Sequence, residues 1–120
     1  MTPNEYIEHV KTTESHNFKP INIRLLHGAM GCSTEAGEVM DLLKKHVYYD
    51  ISFIKEALIE ELGDLLWYIA IIADELGISF ENIMEMNIKK LQIRYPKSFN
   101  KKACKDRDYG KEMEAMKNDE

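Results

Sequence analysis

The stretch TEAGEVMDLLKK, residues 34–45, decides how this chain is read. Val39, Leu42 and Leu43 recur at the spacing of one helix face. Glu35 and Glu38 stand three apart, so both carboxylates project from the same side of that helix, one turn from each other. Ala36 and Gly37 put the smallest side chains beside them. A helix that gathers two acids next to a glycine needs a reason, and the reason has to lie in what faces it.

EELGD, residues 60–64, repeats the device. Glu61 and Asp64 are again three apart, and a glycine again precedes the last acid. If the two helices pack antiparallel, four carboxylates converge. Four unpaired charges near an apolar core repel and lose hydration. A divalent cation resolves both problems. The donors are all oxygen, which suits Mg²⁺, Mn²⁺ or Ca²⁺ over zinc. A di-iron bundle would carry Glu-x-x-His pairs, and His9, His16, His27 and His46 have no such spacing. Mg²⁺ held by carboxylates takes further ligands from substrate phosphates, so the acids imply a phosphate-bearing substrate. The competing reading is a solvated face, which is the better one for Glu5 and Glu8. Duplication on two glycine-containing, otherwise apolar helices favours the metal for the internal pairs, but pattern alone leaves both readings open.

Working outward, helices are expected over residues 3–13, 22–49, 54–76 and 79–95. Thr2, Pro3 and Glu5 form a capping box with proline at the first helical position. Gly77 ends the third helix, Ser79 caps the fourth and Pro96 stops it. Residues 62–73 are rich in Leu, Ile and Ala, so the third helix is expected to be buried on most sides, with Trp67 in the core. Gly28, Gly31 and Gly37 lie in the second helix, each costing roughly 1 kcal/mol against alanine. Close helix contact, a bend or room for a ligand must offset that. No strand pattern occurs, so the fold class is all-α. One domain over residues 1–96 is followed by a charged tail, 97–120, helical near 112–117 where it docks.

The fourth helix carries Asn87, Lys90 and Arg94 on one face. An acidic middle and a basic end suit a metal-bound polyphosphate, with cations on the oxygens that the metal leaves free. Tyr68 lies one turn after Asp64, where its hydroxyl could reach a phosphate. Lys45, two turns after Glu38, is a further phosphate candidate, with a solvated lysine the equal alternative. His27 is expected to pack.

A net charge of −5 argues against a dedicated nucleic-acid binder. Cys32 and Cys104 form no CxxC pair, so a reducing cytoplasm is the expected setting. No signal peptide opens the chain, and its longest apolar run, residues 65–73, falls far short of the ~20 residues of a membrane span. With 120 residues the core is modest, and small bundles often complete theirs by oligomerising.

Together, Thr34-Glu35-Ala36-Gly37-Glu38-Val39, Leu43-Lys44-Lys45, the run from Glu60 to Tyr68 and the run from Asn87 to Pro96 closely resemble the MazG-like nucleoside triphosphate pyrophosphohydrolases. These belong to the all-α NTP pyrophosphatase superfamily. The resemblance covers about residues 20–108 and fits the short, single-domain branch of bacteria and phages. It implies Mg²⁺-dependent hydrolysis of a nucleoside triphosphate to the monophosphate and pyrophosphate, with Mn²⁺ as a substitute. Glu35, Glu38, Glu61 and Asp64 match the family's metal-binding carboxylates, with Glu38 the choice for general base. Asn87, Lys90 and Arg94 match the polar positions of the last helix, and Tyr68 a phosphate-contacting tyrosine. Arg107 is a further candidate, although Asp106 before it departs from the family's Asn. The resemblance also implies a homodimer or a tetramer built from dimers. A nucleotide sensor without turnover and a plain helical oligomerisation module are the alternatives.

Overall fold

The computed structural model describes residues 1–117, which form six α-helices and no strand. They are α1 (Pro3–Thr13), α2 (Ile23–Tyr49), α3 (Lys55–Leu76), α4 (Phe80–Arg94), α5 (Lys101–Lys105) and α6 (Tyr109–Lys117). Local chemistry sets their ends. Thr2 and Glu5 close a capping box on α1, and Ser79 with Asn82 closes one on α4. The Asn22 side chain accepts from the N–H groups of Arg24 and Leu25 at the start of α2. Gly77 ends α3 in the left-handed region at φ 69°, where glycine carries no Cβ penalty.

α2 and α3 form the principal helix pair. Their register follows from the contacts. Asn22 and Arg24 meet Glu75 and Asp74, Gly28 faces Ile72, Gly31 faces Tyr68, and Glu35 meets Glu61. Partner numbers fall as α2 numbers rise, so the helices run antiparallel. On α2 the contact stripe is 24, 28, 31 and 35, with steps of four, three and four, which is one helix face. A Cβ on Gly31 would lie 2.0 Å from the Tyr68 ring, and one on Gly28 would lie 2.6 Å from Ile72 Cγ1. These two glycines let the helices approach.

α4 and α6 form the second pair. α6 lies in the region expected to be a tail, and α5 is a further short helix there. Asp108 caps α6 by accepting from the Lys111 N–H at 3.0 Å. Residues 118–120 of the tail lie outside the described residues.

The core of a single chain is thin. Ala73 is the one buried apolar side chain among the described residues. The radius of gyration is 20.2 Å, against about 14 Å for a self-contained domain of this length. The expectation that α3 is buried on most sides is therefore corrected for the single chain. Ile59, Leu62 and Leu66, one stripe at spacings of three and four, are exposed, and Trp67 is 57 % exposed. The physical reason is that α3 has one helical partner, α2, which covers one face, while its apolar residues run around it.

Candidate metal centre

The stripe that joins α2 to α3 carries the acids. One carboxylate oxygen each from Glu35, Glu61 and Asp64 lies within 4.8 Å of the others. Glu35 and Glu61 are half-buried and Asp64 is exposed. The tight contact of Gly31 with Tyr68 stands one turn away on the same face, so it sets the helix separation at which the carboxylates meet. Glu38 is not part of this group of three. It is exposed, one turn further along α2, and its charge acts on both Glu61 and Lys45.

Crowding shows in the electrostatics. Glu61 is held above the ordinary glutamate range, first by its hydrogen bond to Glu35, then by partial burial and the negative charges of Glu35, Glu38 and Asp64. Adjacent carboxylates disfavour each other's charged form. A hard cation would satisfy all three acids at once. The donor set therefore fits Mg²⁺ or a cation of similar hardness.

A pH dependence follows. A raised folded pKa gives stability that is complete below the unfolded pKa and is lost as pH rises through the folded value. Glu75, Glu112 and Asp41 are shifted the other way, by Arg24, by Arg107 with Arg94, and by Lys45 respectively. Their stabilisation is lost as pH falls through their folded values. In chelator, the acid cluster should therefore lower the melting temperature as pH rises above the ordinary glutamate range, and loss of the three ion pairs should lower it as pH falls below that range. Mg²⁺ should abolish the alkaline fall and leave the acid fall, as read by calorimetry. An alkaline fall that Mg²⁺ does not touch would refute the crowded carboxylate cluster.

The glycines beside the acids behave unlike Gly28 and Gly31. A Cβ on Gly37 or Gly63 would meet nothing within 4 Å. Open space lies there, not a packed helix.

The other sequence-nominated residues fall in three places. Tyr68 lies on the contact stripe, its ring against Gly31 and edge-on to both His27 and Trp67. Lys45 is paired with Asp41 at 2.8 Å, a partner that sequence reasoning missed although its i, i+4 spacing signals it. Asn87, Lys90 and Arg94 lie on α4, in the second helix pair. Asn87 is exposed and Lys90 half-buried. Arg94 is bound to Glu112, its Nη2 donating to Oε1 at 2.7 Å, and Arg107 donates from Nε to Oε2 of the same carboxylate at 3.1 Å. Sequence reasoning missed Glu112, which carries no motif and stands in a run of exposed charges.

Fold and cluster define an all-α protein with an acidic, oxygen-donor centre between two antiparallel helices. Residues 29–99 match the MazG nucleotide pyrophosphohydrolase domain, and the chain belongs to that family. The match takes in all four nominated carboxylates and Asn87, Lys90 and Arg94, and it ends before α5 and α6. The chain is similar to the Gene 37 protein of Mycobacterium phage L5, at 34 % identity over 74 residues, covering 58 % of this chain and 65 % of that protein. It is also similar to YvdC of Bacillus subtilis (strain 168), at 46 % identity over 41 residues, covering 34 % of this chain and 39 % of that one. The chain thus spans less than two thirds of the length of each. No solved structure matches it significantly. Among the described residues no helix is long and apolar enough to cross a membrane.

Proposed function

We propose that this protein is a Mg²⁺-dependent nucleoside triphosphate pyrophosphohydrolase that converts an NTP or dNTP to the monophosphate and pyrophosphate. One observation carries the reading: Glu35, Glu61 and Asp64 converge within 4.8 Å between the two helices, inside the segment that matches a nucleotide pyrophosphohydrolase domain. Glu35, Glu61 and Asp64 would hold the cation, with Glu38 extending the set from the next turn. A bound Mg²⁺ would supply neutralisation of the triphosphate and a lowered pKa for the attacking water. Glu38 accepts the proton of that water as general base. The open space beside Gly37 and Gly63 leaves room for the triphosphate against the acids. Lys90 and Arg94 stabilise charge on the departing pyrophosphate, and Asn87 and Tyr68 orient the phosphates.

The unit that works is a homodimer, or a tetramer built from dimers. The exposed stripe of Ile59, Leu62 and Leu66, with Met84 and Ile88 on α4, supports this. So does the placing of the cationic residues on a helix pair other than the one that carries the acids. A second copy covers the apolar faces and brings α4 to the carboxylates.

The test is pyrophosphate release from a panel of ribo- and deoxyribonucleoside triphosphates, with Mg²⁺, with Mn²⁺ and with chelator, alongside light scattering. We expect metal-dependent release for at least one nucleotide and a mass at least twice 14.0 kDa. Saturable nucleotide binding without release would replace the enzyme with a sensor. Neither binding nor release would leave an oligomerisation module.

A further inference from the structure

Glu112 is the one buried charged residue among the described residues, at 2 % exposure. It lies on the second helix of the tail, beyond the segment that the family match covers. Burying a carboxylate is costly unless it is paired and hydrogen-bonded, and Glu112 is paired twice. Arg94 donates from Nε and Nη2 to Oε1, at 2.9 and 2.7 Å. Arg107 donates from Nε to Oε2 at 3.1 Å and from Nη2 to Oε1 at 3.3 Å. Arg107 is steadied in turn by the Tyr109 ring, 4.2 Å from its guanidinium carbon.

Each guanidinium has five N–H donors in a rigid fork. Arg94 engages Glu112 through Nε and Nη2 and also interacts with Tyr95. Its side chain, 14 % exposed, also lines a cavity of about 520 Å³ at the end of α4. Lys97 and Lys102 line the same cavity, with Tyr95 and Phe99 as an apolar wall and Asp106 as the single acid. Three cations against one carboxylate suit an anion with several oxygens. Arg107 does not line the cavity, so it can reach a ligand there only through Glu112.

We infer that Glu112, anchored by Arg107, is a positioning residue that holds Arg94 toward this cavity, and that the cavity takes the phosphate groups of a polyphosphate ligand. The inference deepens the proposed function, because Arg94 is one of the residues assigned there to the pyrophosphate. Pre-organisation is the physical gain. An arginine already fixed by Glu112 loses little further freedom when a phosphate binds it.

Inorganic tripolyphosphate in excess chelator is the probe, since the carboxylate centre then holds no metal. Calorimetric titration of the full chain should show binding, weakened about tenfold or more by Glu112→Gln and by Arg107→Ala. Glu112→Asp, which keeps the charge, should recover part of the loss. Limited proteolysis of the tail reads whether α6 stays docked in each variant. Tripolyphosphate that does not bind the wild type, or binds Glu112→Gln and Arg107→Ala as well as the wild type, overturns the inference. Tighter binding by Glu112→Gln also overturns it, because Glu112 would then compete for Arg94. Loss of binding in Lys102→Ala with α6 still docked supports the cavity as the place of contact. A wild type that binds tripolyphosphate through Glu112 and releases no pyrophosphate from any nucleotide would sink the proposed function and leave this inference standing.

Discussion

Glu61→Gln and Asp64→Asn are expected to remove pyrophosphohydrolase turnover and to leave the fold as stable as before, or more so. Both replacements keep the shape of the side chain. Each removes a negative charge from a cluster whose carboxylate oxygens lie within 4.8 Å of one another. The amide introduced by Glu61→Gln would still donate to Glu35, so the contact between the two side chains survives. The negative charge that Glu35, Glu38 and Asp64 repel at this position disappears. In chelator at neutral pH, the melting temperature should hold or rise. Loss of a ligand from the centre should lower metal affinity by about 10–100-fold, and activity at fixed Mg²⁺ at least as much. Glu38→Gln should cost about 10²–10⁴-fold in kcat and lower metal affinity less than Glu61→Gln, because it is assigned proton transfer and only the edge of the metal set. Glu60→Gln, at the exposed position beside Glu61, should leave activity unchanged. Full turnover in Glu61→Gln or Asp64→Asn would end the metal-site assignment. Collapse of the melting temperature would show that the acids serve the fold instead.

Some of this molecule is legible in its sequence because the causes are local. Caps act within four residues, so Thr2, Asn22, Gly77 and Ser79 mark helix ends that the structure matches closely. The pairing of Glu35 with Glu61 was legible for a related reason. Spacing fixes the face on which each acid lies, and antiparallel packing is the one step added. Other features depend on contacts that spacing cannot supply. Trp67 and Leu66 read as core because they are apolar, yet both are exposed in the single chain. Glu112 reads as one more tail acid, because its burial is set by Arg94, 18 residues earlier, and by the fold of the intervening turn. The charge of Lys45 is engaged by Asp41, one turn earlier on α2.

The glycines of α2 divide into two kinds, and alanine substitution should separate them. Gly31→Ala places a methyl 2.0 Å from Cδ1 of Tyr68, with Cε1 and Cγ at 2.2 and 2.3 Å. The ring cannot yield by a small torsion, since its root as well as its edge is in the way. Either Tyr68 leaves the contact stripe or α2 and α3 move apart. Overpacking of this kind costs typically about 1–3 kcal/mol, and a displaced aromatic ring puts Gly31→Ala at the upper end of that range. Because Glu35 is one turn beyond Gly31, separation of the helices would also spread the carboxylates. Metal affinity and turnover should fall along with the melting temperature. Gly37→Ala meets nothing within 4 Å, and it removes a helix-interior glycine that costs about 1 kcal/mol. It should raise the melting temperature. If the space beside Gly37 holds the triphosphate, the same variant raises KM for the nucleotide while metal affinity is unchanged. A Gly37→Ala protein that is more stable and equally active would show that this space is not used by the substrate. One that is destabilised in the dimer would show that the partner copy packs there. The helix-contact role of Gly31 stands or falls separately, on whether Gly31→Ala melts well below the wild type.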